Sequence, residues 1–148
     1  MVFQYGQRSE GVEKDIFELM NRHSLMVVAS QSPNGHPQSA VVEFLTRRDF
    51  TVYFATVRSF RKYQNLTKNP RISLVVGGAD EVTVQYEGTA EEVAPESISD
   101  DQKARLASHA HKGFDTKTLA ESNVVYFKIT PSWIRYTNVS TSLENFRA

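Results

Sequence analysis

The sequence predicts a mainly β, α+β fold, in which about six antiparallel strands form a sheet or a small barrel with short helices between them. Three observations support this prediction. Most apolar segments alternate with polar residues or are rich in β-branched and aromatic residues, as strands are. Turn signals join the early segments directly. Strands joined by turns are antiparallel neighbours, whereas a parallel sheet needs long crossover connections.

The first half of the chain predicts one helix and three strands. Val12, Ile16, Leu19 and Met20 fall on one face of a helix over 12–22, and the opposite face is charged. The strands that follow are rich in valine and aromatic residues, and Pro, Asn, Gly and Asp mark the turns. These segments are a strand at 23–32, a turn at Pro33-Asn34-Gly35, a strand at 36–49 that turns near Arg47–Asp49, and a strand at 50–56.

The second half predicts two helices and three further strands. Ser59 is the expected N-cap of a helix over 59–69, which Asn69-Pro70 ends. Ser99 is the expected cap of the second helix, with two acids in its first turn and Gly113 near its end. The remaining segments are strands at 71–77 and 82–93, the second helix at 97–114, and a strand at 123–138 that is bent near Pro131. The last strand completes a barrel over about 24–138. A polar tail at 139–148 follows it.

Composition limits the classes of protein to which the chain can belong. With 148 residues, 40% of them hydrophobic and 23% charged, the chain is expected to form one globular domain over 1–148. Lys plus Arg equals Asp plus Glu at 17 each, which argues against a general nucleic-acid binder. The absence of cysteine excludes disulfides, thiolate metal sites and cysteine nucleophiles. Four acids within the first 30 residues and the lack of a long apolar run lead us to expect a cytoplasmic protein without a membrane partner.

Positive charge is concentrated where the third strand gives way to a helix, in the stretch ATVRSFRKYQNLTKNP at 55–70. Arg58, Arg61 and Lys62 fall within five positions, and Thr56 and Ser59 add hydroxyl groups. Cations at a helix start oppose the helix dipole, whereas a bound phosphate would be favoured there. The stretch is therefore either an ordinary solvated helix start or a phosphate-binding site. Neither glycine-rich nucleotide motif occurs in the chain.

The order of these segments resembles the pyridoxamine 5′-phosphate oxidase-like family of FMN-binding split barrels. The turn SPNGHPQ, the strand VYFAT, the basic pair Arg61-Lys62 and the run NPRISLVV occur in the family's order, and the resemblance is best over 24–94. It implies a six-stranded antiparallel split β-barrel with short flanking helices. It also implies a homodimer that holds FMN at its interface and acts on a small-molecule substrate.

The resemblance also implies roles for individual residues around the phosphate. Arg61 and Lys62 match the basic pair that grips the FMN phosphate. Ala55 and Thr56 match strand-end positions beside the ribityl chain and the phosphate.

Further roles concern the flavin ring. Val41, Val42 and Glu43 match the strand whose backbone runs along the isoalloxazine edge, although Glu43 equally suits an outward position on an alternating strand. Thr83 falls where the oxidase proper has a glutamine. Trp133 could match an aromatic residue that the second subunit brings to the flavin.

Two departures from the family pattern bear on function. Ala40 and Leu45 stand where the oxidase proper carries Arg and Lys. Their absence either weakens the FMN interpretation or leaves Arg58 to contribute to phosphate binding. The end of the chain, SLENFRA, lacks the arginine-rich segment that binds pyridoxal phosphate. Vitamin B6 oxidation is therefore not expected, and the chain looks more like the small relatives called general stress proteins.

The functional hypothesis is an FMN-dependent oxidoreductase with an unknown small substrate. Two alternatives stay open: a flavin or deazaflavin carrier or stress-linked binding protein without turnover, and a haem-binding relative. No catalytic residue is identified, because no Ser–His–Asp set has supporting context. No metal site is expected, since His23, His36, His109 and His111 lack ligand spacing and suit the surface.

Overall fold

The fold is built on one eight-stranded sheet flanked by three helices, and the computed structural model describes residues 2–3, 10–79, 82–107 and 123–138. The helices are α1 (Glu10–Arg22), α2 (Arg61–Lys68) and α3 (Asp100–Ala107), with a 3₁₀ turn at Pro95–Ser97. The strands are β1 (Val2–Phe3), β2 (Leu25–Gln31), β3 (Pro37–Glu43), β4 (Leu45–Thr46), β5 (Val52–Val57), β6 (Arg71–Gly77), β7 (Val82–Val93) and β8 (Val124–Asn138).

The sheet curves into a half-open barrel. Its strand order is β3-β2-β6-β7-β8-β5-β4, and every pair along this path is antiparallel, while β1 pairs with β8 in parallel. The edge strands β3 and β4 are consecutive in the chain and are separated only by Phe44. The two edges of the sheet therefore meet at this residue. The predicted mainly β, α+β split-barrel class is confirmed.

The described residues form two strands more than the six that were predicted. The segment predicted as one strand at 36–49 is divided at Phe44 into β3, which pairs with β2, and β4, which pairs with β5. The second addition, β1, was not predicted, since two residues are too short to show periodicity.

The main core fills the barrel, and α1 covers one side of it with Ile16, Leu19 and Met20. The Tyr86 hydroxyl donates at 2.9 Å to the Phe50 carbonyl, so the one buried polar group of this large side chain is satisfied. Burial raises the pKa of that hydroxyl far above its usual range. A smaller apolar cluster lies outside the barrel between β5 and α3 and contains Leu45, Tyr53, Ile98 and Leu106.

Of the two helix N-caps predicted from the sequence, one is present and the other is not. Ser99 caps α3, because the Gln102 N–H donates to Ser99 Oγ at 3.3 Å and the Ser99 N–H donates to Gln102 Oε1 at 3.2 Å. The prediction for Ser59 was wrong: the N-cap of α2 is Phe60, which has no side-chain oxygen to accept a bond. The predicted end of the second helix near Gly113, His109, His111 and the polar tail at 139–148 lie outside the described residues.

The bend predicted in the last strand is present. Glu87 pairs with Trp133 and Gly88 pairs with Pro131, so Ser132 is an extra residue in β8. The Ser132 hydroxyl donates to the Glu87 carbonyl at 3.1 Å and holds this bulge in place. Among the described residues, none of the helices has the length and hydropathy needed to cross a membrane.

Candidate functional site

A cleft of about 360 Å³ opens beside the first turn of α2. Strands β2 and β3 form one wall, and the helix start forms the other. We call this the α2 cleft. It is lined by Val28, Ser30, Gln38, Ser39, Ala40, Phe60, Arg61, Lys62 and Asn65.

The electrostatics of the α2 cleft favour an anion. Arg61 and Lys62 both line it, and the first turn of α2 contains no acidic residue. Burial, and secondarily the neighbouring Arg61 charge, lowers the pKa of Lys62 from the usual lysine value. A bound anion would relieve this cost because it stabilises the ammonium form. The uncapped amide groups of the helix start add donors in the same place.

A buried amide holds α2 against the strands that face it. Asn65 is only 3% exposed, and its Nδ2 donates to Ser30 Oγ at 3.1 Å and to Gln38 Oε1 at 3.0 Å. Arg61 and Lys62 lie one helical turn before Asn65, so this network fixes the position of the cations. Sequence reasoning missed these three polar residues. The available signal was a Ser and a Gln at positions that strand alternation turns inward.

Thr56 and Ala55 lie on opposite faces of β5. Alternation places Thr56 on the face of Phe54, which points into the barrel core, whereas Ala55 packs on the outer cluster. Thr56 Oγ1 is buried and has no hydrogen-bond partner within the described ranges. An unpaired buried hydroxyl is costly, which makes Thr56 a candidate ligand-binding group.

Arg58 is not among the residues that line the α2 cleft. Its guanidinium donates to the Tyr63 hydroxyl at 2.7 Å and forms an ion pair with Glu92 at 3.2 Å. This network ties the loop before α2 to the end of β7. Ser59 is exposed in the same loop.

The outward face of the sheet carries an apolar row across three strands. Val41, Val27 and Val75 are direct cross-strand neighbours on β3, β2 and β6, and they are 63%, 45% and 38% exposed. The next position in this row, on β7, is Gln85, which sequence reasoning missed.

Trp133 lies beside the outward row. It is half-buried and lines a second cleft of about 270 Å³ together with Val27, Val75 and Gln85. Thr83 lies two residues before Gln85 on β7, so both fall on the same face.

The β3 residues predicted to lie along the isoalloxazine edge have different surroundings. Val42 packs against the barrel core. Glu43 is only 8% exposed, although its cross-strand partner Leu25 is 41% exposed. Glu43 therefore has the outward position that strand alternation gives it, on the face of Val41, but its side chain is buried there.

Comparison with known proteins identifies the family. The sequence pattern of the pyridoxamine 5′-phosphate oxidase family matches residues 12–138. The chain therefore belongs to the pyridoxamine 5′-phosphate oxidase family. No curated protein matches the chain.

Solved structures share the fold of this family member. General stress protein 26 of Bacillus anthracis is 22% identical with a TM-score of 0.62, over 85% of this chain and 93% of that one. A Clostridium acetobutylicum protein related to general stress protein 26 is 17% identical with a TM-score of 0.67, over 88% and 90% of the two chains. An F420 reductase is 21% identical with a TM-score of 0.63, over 79% and 93%.

The two departures from the oxidase pattern fall in different places of this family member. Ala40 lines the α2 cleft, so the missing Arg removes a cation from the cleft wall. Leu45 packs into the outer cluster with Tyr53 and does not line the α2 cleft. The cleft therefore relies on Arg61 and Lys62 for positive charge.

Proposed function

We propose that the protein binds FMN, with the phosphate in the α2 cleft, and acts as a flavin-dependent oxidoreductase on a small substrate. The observation that carries this proposal is the pairing of Arg61 and Lys62 at an uncapped helix start that has no acid in its first turn. A structural helix would prefer acids there, and a phosphate supplies that negative charge.

The groups present fit a phosphorylated flavin. The Arg61 guanidinium and the Lys62 ammonium would hold the phosphate with charge-assisted hydrogen bonds. Thr56 has a buried hydroxyl without a partner in the described part of the chain, but it does not line the α2 cleft. Val41 and Trp133 provide apolar surface for the ring on the outward face. When bound, FMN would supply the two-electron redox chemistry, while these residues bind and orient it.

The proposal includes a homodimer with the cofactor at its interface. Val41, Val27 and Val75 form an exposed apolar row, and a second copy seated on it would remove this surface from water. In a two-fold dimer the same row meets itself, which suits a flat stripe of valines. The dimer would also enclose the outward face, where Trp133 lies.

A second candidate is a carrier that binds FMN or a deazaflavin without turnover. No histidine or carboxylate belongs to the α2 cleft lining within the described ranges. The cleft therefore offers binding groups but no conventional general acid or base beyond Lys62.

The first experiment is an absorption spectrum of the purified protein, with the released cofactor identified by mass. We expect a flavin spectrum and FMN. Replacing Arg61 and Lys62 together with Ala should remove most of the flavin, while Lys68→Ala, at the other end of α2, should retain it. A haem spectrum, or full flavin retention in the double variant, would overturn the proposal.

A second measurement separates the enzyme from the carrier. Rapid reduction of the bound flavin by NADH or NADPH, followed by reoxidation with an acceptor, supports the oxidoreductase. Release of a deazaflavin, or bound flavin that no nicotinamide donor reduces, favours the carrier.

A further inference from the structure

A second cavity lies on the side of β5 that faces away from the barrel. Its volume is about 250 Å³, and it is enclosed by the β4–β5 hairpin and α3. Leu45, Tyr53 and Ile98, all buried members of the outer cluster, form an apolar floor. None of the residues that line this cavity lines the α2 cleft. The cavity is therefore distinct from the α2 cleft.

Two arginines line this cavity. The Arg47 guanidinium lies 4.3 Å from the centre of the Tyr53 ring, a cation–π contact that holds the side chain over the floor. Arg105 reaches the cavity from α3. Neither arginine has a carboxylate within ion-pair distance in the part of the chain that the structure describes.

The charge balance of the lining remains positive. Asp101 also lines the cavity, so two cations face one carboxylate. Asp101 precedes Arg105 by one helical turn, a spacing that often gives an ion pair, but no such pair forms. Two guanidinium groups without anionic partners beside an apolar floor select a carboxylate attached to an apolar body.

We propose that this cavity binds a small organic carboxylate with a planar apolar body, held by Arg47 and Arg105 and packed on Leu45 and Ile98 beside the Arg47–Tyr53 pair. The carboxylate would take the guanidinium hydrogen bonds, and the planar body would replace water over the apolar floor. This site is separate from flavin binding and does not depend on it.

Benzoate is the probe, and benzamide, with a similar shape and no charge, is its control. Titration into the ¹⁵N-labelled full chain at constant ionic strength should give saturable shifts at Leu45, Tyr53, Ile98 and Arg105. We expect benzamide to bind at least about tenfold more weakly, since it lacks the charge.

Variants assign the binding to the two arginines. Arg47→Ala and Arg105→Ala should each weaken benzoate binding about tenfold, because each removes a charged donor. Arg48→Ala is the matched control, since Arg48 is adjacent in sequence but its guanidinium lies over the Phe17 ring at 5.1 Å. All three residues are exposed, so the variants should fold, which their amide spectra verify.

Several results would overturn the proposal. These are non-saturable shifts spread over the surface, equal binding of benzamide, equal loss in Arg48→Ala, and a stronger response to inorganic phosphate than to benzoate. The last result would mean that the site recognises charge alone.

Discussion

Thr56 has a buried hydroxyl with no hydrogen-bond partner in the part of the chain described by the structure. We expect Thr56→Val to raise the stability of the flavin-free protein by up to about 1 kcal/mol, because it removes an unsatisfied polar group. The same change should weaken flavin binding if the hydroxyl contacts the cofactor. Urea unfolding and flavin titration measure the two effects separately.

Thr51→Val is the matched control for this substitution. Thr51 is also buried, but its hydroxyl donates to Asp49 Oδ1 at 2.7 Å. Its replacement should therefore destabilise the protein and leave flavin affinity unchanged. If Thr56→Val destabilises the flavin-free protein as much as Thr51→Val does, the hydroxyl of Thr56 is not unsatisfied.

We expect Lys62 to couple flavin binding to pH. Its pKa in the folded protein lies below the ordinary value of 10.5, chiefly because of burial. At pH values between the pKa of Lys62 in the folded protein and its ordinary value, the unfolded chain binds more protons than the folded chain. The contribution of Lys62 to the stability of the flavin-free protein therefore rises with pH over this range. Flavin affinity should fall over the same range, by at most about tenfold per pH unit, because the phosphate prefers the ammonium form.

Flavin titrations between pH 8 and pH 10.5 measure this coupling. Lys62→Arg is the control, since a guanidinium stays charged throughout and the flavin's own titration affects both proteins equally. Identical pH profiles for the two proteins would contradict a role for the Lys62 ammonium in binding.

At the scale of elements, the strand pattern was the most predictable part of the molecule. The bounds of β6 and β7 agree with the sequence prediction at every residue, because both strands alternate between core and solvent along their length. The start of α2 was misplaced at Ser59, because the helix begins at Arg61 and no side chain caps it. That irregular helix start is part of the candidate site.

The floor of the α2 cleft could not be predicted in the same way. Ser30, Gln38 and Asn65 come from three elements separated by as many as 35 positions in the chain. Only the pairing of β2 with β3, and the packing of α2 on them, brings the three side chains together. The cations were predictable because Arg61 and Lys62 are adjacent and their placement depends on one helix start.

The bulge between β7 and β8 depends on Gly88. A Cβ atom at this position would collide with the Thr130 carbonyl oxygen and lie 2.9 Å from Ile129 Cγ2. We expect Gly88→Ala to destabilise the protein by about 2–4 kcal/mol, because β8 must move away from β7. Urea unfolding measures the change.

Thr89→Ala is the control for the bulge, since Thr89 is exposed and next in sequence. It should change the free energy of unfolding by less than about 0.5 kcal/mol. A Gly88→Ala protein as stable as Thr89→Ala would mean that the bulge relaxes without cost.

At the scale of the whole molecule, the proposed dimer depends on the row Val41, Val27 and Val75. Val27 lies at the centre of this row and is 45% exposed, so a monomer can carry Lys there at little cost. A two-fold interface would bring two such lysines into an apolar contact, which costs several kcal/mol. We therefore expect Val27→Lys to give a folded monomer by sedimentation, while Asn21→Lys, on the exposed surface of α1, stays dimeric.

Flavin retention in the same variants separates assembly from phosphate binding. Val27→Lys should lose flavin because half of the enclosing surface is gone, even though Arg61 and Lys62 are intact. The Arg61→Ala/Lys62→Ala protein should lose flavin and remain a dimer, because both residues line the α2 cleft and lie outside the row. A Val27→Lys protein that is monomeric yet keeps its flavin would place the whole cofactor site within one chain. A Val27→Lys protein that remains dimeric would show that the dimer interface does not include this face of the sheet.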